Sequence, residues 1–161
     1  MALSISRARP DQAGLIFALL CELAEYEKLT HEVVATETDI ASALFVENPR
    51  LFCEIAAWNG EPAGFALWFY NFPTFSGRSG IYLEDLFVKP AFRRRGIGRR
   101  LLAELARIAV ERKCGRFEWA VLDWNQPAIE FYTSLGAVPL SEWTVFRVTG
   151  DALMRLADVG S

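Results

Sequence analysis

Phe92-Arg93-Arg94-Arg95-Gly96-Ile97-Gly98-Arg99-Arg100 is the stretch on which the fold and the chemistry of this chain turn. Before it, Ile81 to Val88 has strand character. After it, Leu101, Leu102, Leu105, Ile108 and Ala109 recur at helical spacing and predict a helix from about Gly98 to Lys113. Two glycines let the backbone turn tightly and approach a ligand with no Cβ in the way. Unpaired N–H groups at the helix start, with the helix dipole, make an anion cradle suited to a pyrophosphate. The arginines attract phosphate and can pair with it bidentately. A solvated basic stretch before a surface helix fits the arginines alone equally well. No Gly-Lys-Ser/Thr follows, which excludes a Walker loop, and the third glycine of a dinucleotide fingerprint is missing. What is left is a phosphate-binding loop for another ligand.

Outward from this unit the chain shows no linker, repeat or low-complexity tract. Leu3 to Arg7 alternates like a short strand, and Leu15, Ile16, Leu19, Leu20 and Leu23 predict a helix from Pro10-Asp11 to about Tyr26. A shorter helix starts at Thr36 or Thr38, with Asp39 placed for capping, and ends near Phe45. Phe52 to Trp58 and Ala63 to Tyr70 read as strands joined by an Asn59-Gly60 hairpin turn. Asn71 to Gly80 is a loop. Phe117 to Leu122 is a buried strand, and Pro127 opens a helix that ends at Gly136. Trp143 to Val148 is expected as a last strand, and Asp151 to Ala157 as a terminal helix. The order β-α-α-β-β-β-α-β-α-β predicts an α/β domain: one mixed, mostly antiparallel sheet with helices on both faces. The central strand-loop-helix-strand unit should be a right-handed crossover.

Composition narrows the function further. The chain has 161 residues, enough for one domain with a sizeable core, and 52% are hydrophobic. The 17 Lys and Arg against 20 Asp and Glu leave a net charge of −3, which argues against nucleic acid as the partner. Cys21, Cys53 and Cys114 are odd in number and widely spaced, and His31 is the one histidine, so neither a disulfide scaffold nor a Cys/His zinc site is expected. No metal is called for. With no signal-peptide core and no membrane-length apolar run, we expect a reduced, cytoplasmic protein.

Arg93-x-x-Gly96-x-Gly98 resembles the Arg/Gln-x-x-Gly-x-Gly/Ala signature of the GNAT acetyltransferase superfamily. Tyr82-Leu83-Glu84-Asp85-Leu86-Phe87-Val88 resembles the strand before that loop, and Trp124 to Tyr132 resembles the later helix. The likeness extends over nearly the whole chain, including Leu23-Ala24-Glu25-Tyr26-Glu27. It is strongest with the diamine acetyltransferase branch, the spermidine/spermine and thialysine acetyltransferases. The resemblance implies a GNAT fold, acetyl-coenzyme A as cosubstrate, a small amine as acceptor and a homodimer.

An amine attacks a thioester only as the free base, whereas an alkylammonium has a pKa near 10.4. The site must accept a cation, remove a proton, hold an oxyanion and return a proton to the leaving thiolate. By resemblance, Leu86, Phe87 and Val88 lie along the pantetheine arm and a backbone N–H here polarises the thioester carbonyl. Arg93, Arg94, Arg95, Gly96, Ile97, Gly98 and Arg99 hold the phosphates, and Asn125 and Ala128 face the cofactor at a helix start, although Asn125 alone also reads as a helix cap. Tyr132 falls at the general acid; a phenol with pKa about 10 keeps its proton at neutral pH and can give it to a thiolate. Glu84 matches the residue that contacts the amine, as base or as binding group. Asp85, adjacent to it, points to the opposite face of a regular strand; it either lines the cleft through a bulge, as a further substrate contact, or anchors a neighbouring backbone. Tyr26 and Glu27 match an amine-binding pair, and Glu142 and Trp143 a later pair on the distal part of the substrate.

Asn71-Phe72-Pro73-Thr74-Phe75 carries no carboxylate where spermine-acetylating enzymes have Asp-Pro-Trp. That removes an anchor for a distant ammonium and favours a short acceptor with an α-amino-acid end, such as thialysine, lysine or ornithine, over long polyamines. Arg78 would suit its carboxylate. A protein or peptide amine as acceptor, and a coenzyme A sensor without turnover, are the alternatives.

Overall fold

The computed structural model describes residues 2–160. They divide into two compact units that meet in sequence at Ala120 and Val121.

The first unit is built on a five-stranded sheet in the order β1-β2-β3-β4-β5: Leu3–Arg7, Phe52–Trp58, Glu61–Asn71, Gly80–Val88 and Phe117–Trp119. The first three pairings are antiparallel and β4–β5 is parallel, so the sheet is mixed and mostly antiparallel as expected. Asn59 and Gly60 both take positive φ, 49° and 85°, the left-handed pair that a two-residue hairpin needs. Helix α1 is Ala13–Tyr26, α2 is Glu37–Leu44 and α3 is Ile97–Glu111. Thr36 and Asp39 close a reciprocal capping box at the start of α2, the Asp39 N–H donating to Thr36 Oγ1 at 3.1 Å.

Side chains alternate across the strands, and the two faces are covered by different helices. Cys53, Ile55, Phe65, Leu67 and Phe87 pack with Ile16, Leu19 and Leu23 of α1 and Leu44 of α2. Residues of the other phase, among them Phe52, Glu54 and Tyr70, lie towards α3, which buries Leu101, Leu102, Leu105 and Ile108.

In the second unit α4 spans Gln126–Ser134 and α5 spans Gly150–Ala157. Gly136 follows α4 with φ 94°, the left-handed stop read from the sequence.

Two expectations require correction. The strand placed at Phe117 to Leu122 stops at Trp119, because β4 offers a partner only from Ile81 to Leu83. The strand placed at Trp143 to Val148 does not form: the segment pairs with no strand among the described residues, and Trp143, Val145 and Phe146 are exposed. Alternation specifies which side chains share a face; it does not supply the neighbouring backbone a strand needs.

Candidate active site

The first unit brings together most of the residues singled out above, and a single irregularity in β4 arranges them. Leu67 of β3 stands opposite Asp85, yet the next pair is Trp68 opposite Leu83. Glu84 is the extra residue, so β4 bulges there. The bulge leaves Glu84 exposed and puts Asp85 in line with Leu67 and, one strand further, Cys53. Those two are core residues on the α1 side. A half-buried carboxylate therefore lies on the face that carries the apolar core.

Among the described residues the same segment also has a backbone edge along which no strand pairs. Hydrogen bonding between β4 and β5 ends at Leu83 and Trp119. The Lys89 N–H donates to the Ala63 carbonyl at 2.8 Å. By the antiparallel alternation Phe87 and Asp85 then direct their N–H groups to β3, while Leu86 and Val88 direct theirs to the edge that β5 has left. The Val88 carbonyl, on that edge, accepts from Arg93 Nε at 3.0 Å. Of the three residues expected along the pantetheine arm, Leu86 and Val88 thus carry the available donors, and Phe87 contributes a buried ring.

The arginine–glycine loop follows. Arg94 and Gly96 both lie in the left-handed region, at φ 64° and 74°. Gly96 caps α3, and the first intrahelical bond runs from the Arg100 N–H to the Gly96 carbonyl at 3.0 Å. The N–H groups of Ile97, Gly98 and Arg99 precede that bond and have no carbonyl four residues back to meet. Arg93 stacks its guanidinium over Tyr26 at 5.0 Å and Phe87 at 5.6 Å, and Arg95 does so over Trp58 at 4.8 Å and Phe92 at 5.5 Å. Ile97 is buried beneath the loop, whereas Arg94 and Arg99 are exposed. A Cβ on Gly98 would meet nothing nearer than Val88 Cγ2 at 3.9 Å. The protein's own packing thus leaves room for alanine there, and the absence of a side chain suits a phosphate brought close to the backbone.

Tyr26 closes α1, and Glu27 is its C-cap, with its N–H donating to the Leu23 carbonyl at 2.9 Å. Burial pushes the Glu27 carboxyl above its ordinary range. Asp85 is pushed up to about 7, chiefly by burial and then by the negative charges of Glu84 and Glu27. The charges of Glu84 and Glu27 thus both reach Asp85, and Tyr26 adjoins Glu27 in the chain, an acidic setting with an aromatic neighbour that suits an ammonium.

The second unit holds the remaining candidates. Asn125 is buried at the start of α4, and its Oδ1 accepts from the Ala128 N–H at 3.4 Å. The two are thus cap and capped N–H. Tyr132 is half-buried on α4, its ring 5.5 Å from that of Phe131. Glu142 and Trp143 are exposed on the segment beyond it.

A family model described as the acetyltransferase (GNAT) family matches residues 16–137. The chain belongs to the GNAT family. It is 40% identical over 164 aligned residues to a thialysine N-epsilon-acetyltransferase of Sus scrofa, covering 95% of this chain and 96% of that one. It is 32% identical to an L-ornithine N5-acetyltransferase of Arabidopsis thaliana, over 94% of this chain and 86% of that one. An integron cassette protein from the mobile metagenome of V. cholerae has a similar structure, with a TM-score of 0.80, 29% identity and coverage of 98% and 99%. This GNAT protein is an acetyltransferase.

One part of the GNAT sheet is absent from the reading of the sequence. Glu54, in the middle of β2, is buried on the α3 side and accepts from Arg7 Nε at 2.8 Å and from Trp68 Nε1. Phe52 stacks on Trp68 at 4.7 Å with Arg7 above both rings. The signal was an acid inside the apolar run Phe52 to Trp58, the same signal that singles out Glu84. Among the described residues no group of three or more metal-ligating side chains converges, and no helix is long and apolar enough to cross a membrane.

Proposed function

We propose that this acetyltransferase moves an acetyl group from acetyl-coenzyme A to the primary amine of a small lysine-like amino acid (thialysine, lysine or ornithine), with diamines and polyamines as the neighbouring class. The observation that carries the reading is the carboxylate group of Glu27, Glu84 and Asp85 beside the open edge of β4. It joins a cation site to free N–H donors on one strand. The names of the relatives and the loop from Asn71 to Phe75, which lacks a carboxylate, favour the short amino acids. Arg78, exposed in the loop before β4, suits the acceptor's carboxylate.

The residues fit the cosubstrate. The N–H groups of Ile97, Gly98 and Arg99, with Arg93, Arg94 and Arg95, would hold its phosphates. Bound there, acetyl-coenzyme A supplies an activated thioester. Leu86 and Val88 offer N–H groups to its polar atoms, including the carbonyl oxygen on which negative charge develops. Tyr26, Glu27 and Glu84 receive the ammonium, and Tyr132 holds a proton for the departing sulfur. Asn125 and Ala128 order the start of the helix that carries Tyr132, and Glu142 and Trp143 meet the far end of the acceptor. The family match runs through the boundary at Ala120, so we read both units as one catalytic domain. The exposed Trp143 and Phe146 suit contact with a second copy, and the free thiols of Cys21, Cys53 and Cys114 suit a cytoplasmic enzyme.

The test is release of coenzyme A from acetyl-coenzyme A against lysine, thialysine, ornithine, putrescine, spermidine and a lysine peptide. Turnover confined to the amino acids supports the proposal. Preference for spermidine or the peptide would overturn the acceptor class, and silence with the cofactor still bound would make the protein a sensor.

Two substitutions examine the phosphate loop. Gly98→Ala is expected to raise helix stability by up to about 1 kcal/mol and yet weaken acetyl-coenzyme A binding, as read by thermal melting and direct titration. Arg93→Ala is expected to weaken the cofactor by roughly tenfold, the worth of one charge-assisted hydrogen bond. Unchanged affinity would assign the phosphates to the backbone and the other arginines.

A further inference from the structure

We infer that Asp85, and not the exposed Glu84 beside it, is the carboxylate that takes the proton from the incoming ammonium. The inference rests on the acetyl-transfer reading above and assigns a role within that site.

Three features of position support it. The bulge turns Asp85 onto the α1 face, in line with Leu67 and Cys53, which are almost wholly buried. Among the described residues no hydrogen bond or ion pair is made to its carboxylate, and it is half-buried, so an edge of it is reachable. It also immediately precedes Leu86, whose N–H points to the free edge. A carboxylate placed among apolar side chains with no donor is unfavourable for the fold, and no structural bond compensates for it here.

The groups that act on it are also fitting. From its own strand Glu84 acts on it, and from the end of α1 Glu27 does; both are acids. From β2 the Cys53 thiol lies on the same face, and Asp85 helps to push that thiol up. No guanidinium is among the groups that shift it; Arg93, beyond the end of the same strand, is held over Tyr26 and Phe87 and bonded to the Val88 carbonyl. A carboxylate in that setting holds protons far more strongly than a solvated one, and a base titrating near neutrality is well matched to this transfer. Glu84 stands in water at the bulge, where it can draw the ammonium in.

The step is a single proton transfer. One N–H bond of the ammonium breaks, its electron pair stays on nitrogen, and the proton forms an O–H bond with Asp85. Water at the reachable edge of the carboxyl group then carries the proton away, and the free amine is left to attack.

The experiment compares kcat/KM from pH 5.5 to 10 for the parent, Asp85→Asn and Glu84→Gln, with the best amine of the panel and saturating acetyl-coenzyme A. The parent should rise to a plateau through a midpoint near 7. Asp85→Asn should lose about 10²- to 10⁴-fold at pH 7 and lack that midpoint, rising roughly tenfold per pH unit as free amine accumulates below its own pKa of about 10.4. Glu84→Gln should retain a midpoint, moved lower because one of the charges that raises it is gone, and should raise KM. A midpoint that persists in Asp85→Asn, or vanishes in Glu84→Gln instead, overturns the assignment while leaving acetyl transfer intact. A parent that acetylates no amine overturns both. Folding is checked independently: a carboxyl held above its ordinary value weakens the fold as pH rises through about 7, so Asp85→Asn should melt no lower than the parent at pH 8.

Discussion

Tyr132→Phe should lower kcat by about 10²- to 10³-fold while leaving the affinity for acetyl-coenzyme A within about twofold. The change removes one oxygen and keeps the ring. Tyr132 lies half-buried on α4 beside Phe131, so the phenyl group retains its packing. What is lost is the phenolic O–H, a proton donor able to neutralise a departing thiolate. The loss falls on a step after binding and therefore appears in turnover and not in cofactor affinity. Rapid-mixing experiments that isolate the chemical step, together with a direct binding titration, make the distinction. An unchanged turnover number, with chemistry shown to limit it, would remove Tyr132 from the acid's position.

Gly64→Ala should be the most damaging single methyl in the sheet. A Cβ at Gly64 would lie 2.5 Å from the Phe87 carbonyl oxygen and 3.1 Å from the Val88 Cα, both backbone atoms of the neighbouring strand. Neither can swing aside as a flexible side chain would, so β3 and β4 must separate. The destabilisation should be roughly 3 kcal/mol, a fall in melting temperature of about 6–12 °C for a chain of this size. The strand that moves is the one that carries Leu86 and Val88. Activity measured well below the melting temperature should therefore fall as well, out of proportion to the fraction unfolded. Wild-type activity in a merely less stable protein would show that β4 returns to its place around the added methyl.

Much of this arrangement is legible in the amino-acid order, and its local chemistry is the reason. Thr36 and Asp39 announce the start of α2 because a capping box involves only residues three apart. Asn59-Gly60 announces the hairpin because few other pairs tolerate two left-handed residues. Arg93, Gly96 and Gly98 announce the loop by a spacing that depends on one turn of backbone. The bulge at Glu84 is of another kind. Two adjacent acids raise the question of which faces the cleft, and only the register of β3 against β4 answers it. The Glu54 cluster likewise needs Arg7 and Trp68, residues 47 positions before it and 14 after it, to become visible. Trp143 to Val148 shows the converse, an alternating pattern that pairs with no strand among the described residues.

The stacking of Arg93 and Arg95 on aromatic rings has a thermodynamic corollary. Two of the three consecutive arginines in the loop are clamped by Tyr26, Phe87, Trp58 and Phe92, and Arg94 and Gly96 already hold left-handed conformations. The loop's conformational entropy is thus surrendered when the chain folds, and little remains to be lost when an anion arrives. Association should accordingly resemble docking to a rigid cradle. The entropy of binding should report released water and counterions more than an ordered backbone, and truncating either ring pair should make that entropy less favourable without removing a single contact to the phosphates.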